Sequence, residues 1–183
     1  MSFSLPTVAD LDNQSLREAM QAVLDGKTKP LGSLGDLESL AVQLGLIQNT
    51  AAPTLKSPQM VVFAGDHGLV ARGVSAYPSE VTWQMVENYL AGGAAICVLA
   101  RQHGLALTVV DCGVNHDFLS EGQTSRPGLM VKKVANGTAD SFAEPAMTLA
   151  QCHEAINNGY EVVKSLPGNV LLVGEMGIGN TSA

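Results

Sequence analysis

Three acidic side chains, Asp66, Asp111 and Glu175, follow short apolar runs, and each has a glycine two residues on, Gly68, Gly113 and Gly177. The runs cover residues 60–64, 105–110 and 170–173 and read as buried strands. In an open α/β sheet, ligands bind outside the carboxyl ends of the strands. The acids therefore converge on one edge, where carboxylates can move protons or face a developing positive charge. Any one of them also suits a loop cap or a structural ion pair.

The richest segment is Gly174-Glu175-Met176-Gly177-Ile178-Gly179-Asn180-Thr181-Ser182. It follows a strand and leads toward a helical start. Closely spaced glycines let backbone N–H groups surround an anion, and Asn180, Thr181 and Ser182 add side-chain donors. It carries no lysine and is not a P-loop, and the same pattern also serves as a tight strand-to-helix turn. Asp66-His67-Gly68 reads as a carboxylate beside an imidazole. His103, His116 and His153 are scattered, so no ligand set supports a metal. Residues 73–82 form a long strand-to-helix connection, with Tyr77 inside it and Met85 just beyond. These two side chains suit either an apolar slot for a flat ligand or simple core packing.

Other chemistries are excluded by pattern. Ser33 and Ser75 lack a G-x-S-x-G setting. Cys97, Cys112 and Cys152 form no C-x-x-C pair and lie in apolar stretches, so reduced, buried, cytoplasmic thiols are expected. Ten basic against 17 acidic residues give a net charge of −7, which argues against a nucleic-acid partner. No apolar run spans a membrane, and residues 1–6 lack the basic start of a secretory leader. Only 15% of residues are charged, below the ~25% of an average domain. Part of the surface is therefore expected to be covered by a partner subunit or by more chain.

Helices and strands must position these groups. Leu16, Ala19, Met20, Val23 and Leu24 predict a first helix ending at Gly26, and Leu37, Leu40, Ala41, Leu44 and Ile47 a second starting near Asp36. Residues 1–57 read as a helical N-terminal segment, and residues 58–183 as an α/β domain. Pro78 and Ser79 open one long helix reaching about Gln102, with Gly92-Gly93 inside it. A short strand is expected within residues 129–134. Thr148-x-x-Gln151 is a capping box that starts a helix carrying Leu149, Cys152, Ile156, Tyr160 and Val163 on one face. Strand–helix alternation implies a Rossmann-like, three-layer α/β fold with a parallel sheet and helices on both faces.

Pro30-Leu31-Gly32-Ser33-Leu34-Gly35-Asp36-Leu37-Glu38, Ala64-Gly65-Asp66-His67-Gly68, residues 74–82, residues 92–100 and residues 174–181 occur in this order. Together they closely resemble the nicotinate-nucleotide–dimethylbenzimidazole phosphoribosyltransferase family, from about Leu16 to Ala183. The resemblance implies transfer of phosphoribose from nicotinate mononucleotide to 5,6-dimethylbenzimidazole. The products would be α-ribazole 5′-phosphate and nicotinate, in assembly of the cobalamin nucleotide loop. It implies a homodimer with a small helical domain, and neither metal nor cofactor. By the same resemblance Gly174, Met176, Gly177, Gly179, Asn180 and Thr181 cradle the phosphate and ribose, with Glu175 at the reacting sugar. Tyr77, Thr82 and Met85 fall where the family lines the benzimidazole pocket, and Asp66 and His67 shape the site. Members of the family are much longer, and their general base, a glutamate, is expected beyond residue 183. The isolated chain is therefore expected to be inactive. Its alternatives are a non-catalytic module for a mononucleotide or base, or a fragment without a stable fold.

Overall fold

The short apolar runs form four strands, all paired in parallel. They are β1 (Gln59–Gly65), β2 (Ala106–Gly113), β3 (Leu129–Val131) and β4 (Leu171–Met176), in the order β3-β2-β1-β4. The computed structural model describes residues 6–119 and 121–183. Met1 to Leu5, read above as lacking a leader, lie outside the described residues. The chain divides into two compact units at the junction of Leu55 and Lys56.

In the larger unit the central strands β1 and β2 are covered on both faces, as parallel strands require, whereas β4, expected to be buried, is an edge strand with Leu171, Leu172 and Val173 exposed. Side chains alternate between the faces. Ala64, Val109 and Leu129 pack with Val86 of α3 (Glu80–Leu90), while Val61 and Val110 pack with Val162 of α5 (Leu149–Ser165). The three-layer α/β architecture expected from sequence is therefore present. Among the described residues no helix is long and apolar enough to cross a membrane.

Three local expectations are corrected. The single helix over residues 79–102 is two, α3 and α4 (Ala95–Gln102). Gly92 adopts φ +78, a left-handed conformation that ends α3, and the Arg101 guanidinium donates to its carbonyl at 3.0 Å. β2 runs on through Asp111 to Gly113, so Asp111 lies inside the strand. Gly179 (φ +85) leads only into a single 3-10 turn at Asn180–Ser182.

The helix starts are set by local chemistry. Thr148 accepts from the Gln151 amide, and the Gln151 side chain accepts from the Thr148 amide, closing the predicted capping box. In the smaller unit Asn13 caps α1 (Gln14–Asp25), and Met20 and Leu24 pack against Val42 and Leu46 of α2 (Asp36–Gln48). The turn between them is closed by Lys29 and Glu38, 2.8 Å apart, and Glu38 also accepts from the Leu34 amide. The hydrogen bond from Lys29 is the main cause holding the Glu38 carboxyl below its ordinary range.

The buried faces of α2 and α5 differ from those predicted. Leu37, Leu40 and Ile47 of α2, and Leu149, Ile156, Tyr160 and Val163 of α5, are exposed. α2 packs through Val42, Gly45 and Leu46 instead, because glycine at 45 admits the Met20 side chain against its backbone. α5 turns Val162 inward.

Candidate active site

β1 sits between β2 and β4, so the chain leaves β1 toward one side of the sheet and returns to β4 on the other. The crevice between the carboxyl ends of such strands is where open α/β sheets bind ligands. A cavity of about 820 Å³ opens there, within the ~300–1,000 Å³ usual for small-molecule sites. Asp66 and His67 after β1, Glu175 and Met176 at the end of β4, and Asn180 and Thr181 beyond it line one side. The facing wall comes from residues 134–148 and the start of α5.

Asp66 ties three loops together. Its N–H donates to Gly113 O (3.1 Å), its carbonyl accepts from the Thr138 amide (3.0 Å), and Oδ2 accepts from the Asn115 amide (2.7 Å). Oδ1 is buried with no hydrogen-bond partner among the described residues, a costly state for a carboxylate oxygen. Glu175 is exposed to the cavity, and the Asn180 side-chain amide donates to its Oε1. Asn180 is held in turn, because its Oδ1 accepts from the Thr181 amide at 2.7 Å.

The three strand-end acids thus divide. Asp66 and Glu175 line the cavity, and Asp111 does not. Asp111 Oδ1 accepts from the Gly113 and Val114 amides at 3.0 and 2.8 Å, and Oδ2 lies 3.4 Å from Lys133 Nζ. This is the structural-pair alternative, realised for one acid of the three.

Of the other residues singled out by sequence, Tyr77, Thr82, Met85, Gly174, Gly177 and Gly179 are not in the lining. Tyr77 is largely solvent-exposed. Thr82 is fully buried, and its hydroxyl accepts from the Ile178 amide at 3.0 Å, so it stands behind the glycine loop and holds it in place. Gly177 is buried against Gly65 O and the His67 ring. The open anion cradle is also modified. The amides of Ile178, Asn180, Thr181 and Ser182 all donate within the chain, to Thr82, Gly177, Asn180 and Gly179 respectively.

Sequence reasoning missed the wall at residues 134–148. Its one signal was length, since the connection between β3 and α5 carries no regular structure and long connections of this kind are often functional. The wall adds Glu144, so the lining holds three carboxylates and no lysine or arginine among the described residues. No group of His, Cys, Asp and Glu among the described residues is arranged to hold a metal ion.

Cys112 also lines the cavity. Burial, with a smaller push from Asp111, raises its thiol to about 11. It is therefore neutral at physiological pH and is no nucleophile there. At pH 8 its thiolate fraction should be roughly a hundredfold below that of an ordinary cysteine. Alkylation at Cys112, located by peptide mass mapping, should rise steadily toward pH 11. A plateau near pH 8.5 would contradict this.

Comparison with known proteins shows the family. A phosphoribosyltransferase family model matches residues 9–183. The chain is 61% identical over 180 residues to the nicotinate-nucleotide–dimethylbenzimidazole phosphoribosyltransferase of Variovorax paradoxus, covering 98% of this chain and 50% of that protein. It is 57% identical to the enzyme of the same name from Dechloromonas aromatica, covering 94% and 49%. The crystal structure of the Thermus thermophilus protein of that name superposes with a TM-score of 0.83 at 40% identity, covering 92% and 50%. The chain spans about half the length of the curated relatives it matches. On this match the chain belongs to the nicotinate-nucleotide–dimethylbenzimidazole phosphoribosyltransferase family.

Proposed function

We propose that the cavity binds a benzimidazole-type base and the ribose end of nicotinate mononucleotide, and that it forms part of a site for phosphoribosyl transfer between them. The observation that carries this reading is a largely apolar cavity at the β1/β4 switch point whose charged lining residues are all carboxylates. As nicotinate leaves C1′ it takes the electron pair of the breaking C–N bond, and positive charge spreads over C1′ and the ring oxygen. A benzimidazole nitrogen forms the new bond on the opposite face, inverting C1′. A carboxylate fixed in advance beside that centre stabilises the charge. Glu175, held by Asn180, is assigned this role, and Asp66 Oδ1 gains a donor when ligand is bound. Much of the remaining catalysis is the alignment of two bound molecules.

The proton on the other benzimidazole nitrogen needs a general base, and the phosphate needs cationic partners. The relatives carry about as much chain again, and we place both functions in that part. The exposed apolar residues of α2 support a second proposal, a homodimer contacting through the helical unit.

Calorimetric titration of the 183-residue chain with 5,6-dimethylbenzimidazole and with nicotinate mononucleotide, separately, tests the reading. Binding of the base without turnover is the expected result. Turnover by this chain alone would move the general base into these residues, with Glu144 and Glu175 the first to substitute. Failure to bind either compound would defeat the reading. Binding without transfer by a full-length protein would favour a non-catalytic module.

A further inference from the structure

Arg72 lies outside the cavity, at the end of the 3-10 turn Gly68–Arg72 that follows β1. Its Nε donates to Asp140 Oδ2 at 2.7 Å, and its guanidinium stands 4.4 Å from the centre of the Phe142 ring. Asp140 is fixed from both sides, because its Oδ1 accepts from the Phe142 amide at 3.1 Å. The loop these residues form is closed by the Ala139 amide donating to Ala146 O at 2.8 Å. Glu144, Met147 and Thr148, at the end of that loop, are cavity wall. The base of the loop is held by the same segment of chain. The Gly68 amide donates to Thr138 Oγ1, and a side chain at Gly68 would collide with the backbone of Thr138 and Ala139.

We propose that Arg72 is a positioning residue for the cavity. Its ion pair with Asp140 and its stacking on Phe142 hold the residue 139–148 loop in place, and so fix the wall against which the base packs. The proposal rests on the reading of the cavity as a base-binding site. A guanidinium suits the task because one group supplies both a directed N–H and a flat cationic face. The pair is partly solvated, with Arg72 and Asp140 side chains 44% and 25% exposed. Its hold is therefore modest and screened by salt.

The test is hydrogen exchange, read by mass spectrometry on the 183-residue chain, alongside titration with 5,6-dimethylbenzimidazole. Arg72→Ala should speed exchange across residues 139–148 about tenfold, leave β1 unchanged, and weaken base binding several-fold. Arg72→Lys keeps the charge but loses the flat face, so it should restore part of both effects. Phe142→Leu should likewise fall between wild type and Arg72→Ala. In the wild type, 0.5 M salt should reproduce part of the faster exchange. Unchanged exchange in Arg72→Ala would overturn the proposal, as would faster exchange with unaltered affinity. A wild-type chain that takes no benzimidazole defeats the base-binding reading, and the exchange arm still decides whether Arg72 holds the loop.

Discussion

Asp111→Ala should cost the folded chain about 4 kcal/mol and lower its melting temperature by roughly 10 °C. The Asp111 side chain is 2% exposed and Lys133 22%. Removing the carboxylate strands the Gly113 and Val114 amides and leaves the Lys133 ammonium, among the described residues, with the His116 carbonyl alone. Each buried group left unpaired costs ~1–3 kcal/mol. A domain is stable by only ~5–15 kcal/mol in total, so the loss is a large part of what holds the sheet together. Asp111→Asn keeps an acceptor for the two amides and loses only the charge, so about half the effect is expected. Denaturant unfolding of the two variants separates these contributions. A cost below ~1 kcal/mol for alanine would show that Asp111 is not the anchor of the β2 end.

Gly177→Ala should destabilise the chain by about 2 kcal/mol and abolish most binding at the cavity. A Cβ there would run into the Gly65 carbonyl oxygen and lie 2.8 Å from His67 Nε2. Neither obstacle is the free end of a flexible chain, since one is backbone and the other a ring attached beside Asp66. The strain must be relieved by moving β4 away from β1, which carries Glu175 and Asn180 with it. Gly174→Ala is the comparison. Its Cβ would meet Met60 Cε at 3.3 Å, a flexible side-chain end that can yield. The expected order is a clear loss of stability and base binding at 177 and a small effect at 174. Equal, small effects at both positions would contradict the close apposition of β1 and β4.

How much of this was legible beforehand differs by element. β1 can be read because a strand covered on both faces is a continuous apolar run, and β4 because it is a short apolar run too, although Leu171, Leu172 and Val173 are exposed here; the acids at the ends of both stand out against these runs. Glu175, Asp66 and the residues beside them therefore emerged correctly as neighbours in space. Asp111 looked identical in sequence. Its partners, the Gly113 and Val114 amides and Lys133 on a different segment, separate it from the two acids that line the cavity. Thr82 was similar, since a threonine near a ligand slot and a threonine holding a loop amide have the same local pattern. The wall at residues 134–148 has no periodicity, and its shape comes from long-range contacts such as Arg72 with Asp140. The helix faces failed for another reason. Periodicity selects the most apolar stripe, whereas α2 packs on α1 through the stripe containing Gly45, where Met20 can approach closely. The most apolar stripes of α2 and α5 remain exposed.

The most direct test of the cavity as the base-binding site is amide NMR of the labelled 183-residue chain during titration with 5,6-dimethylbenzimidazole. Saturable shifts should appear at residues 66–68, 139–148 and 175–181, with α1 and α2 unmoved. Shifts confined to α1 and α2, or none at any concentration the base can reach, would contradict it.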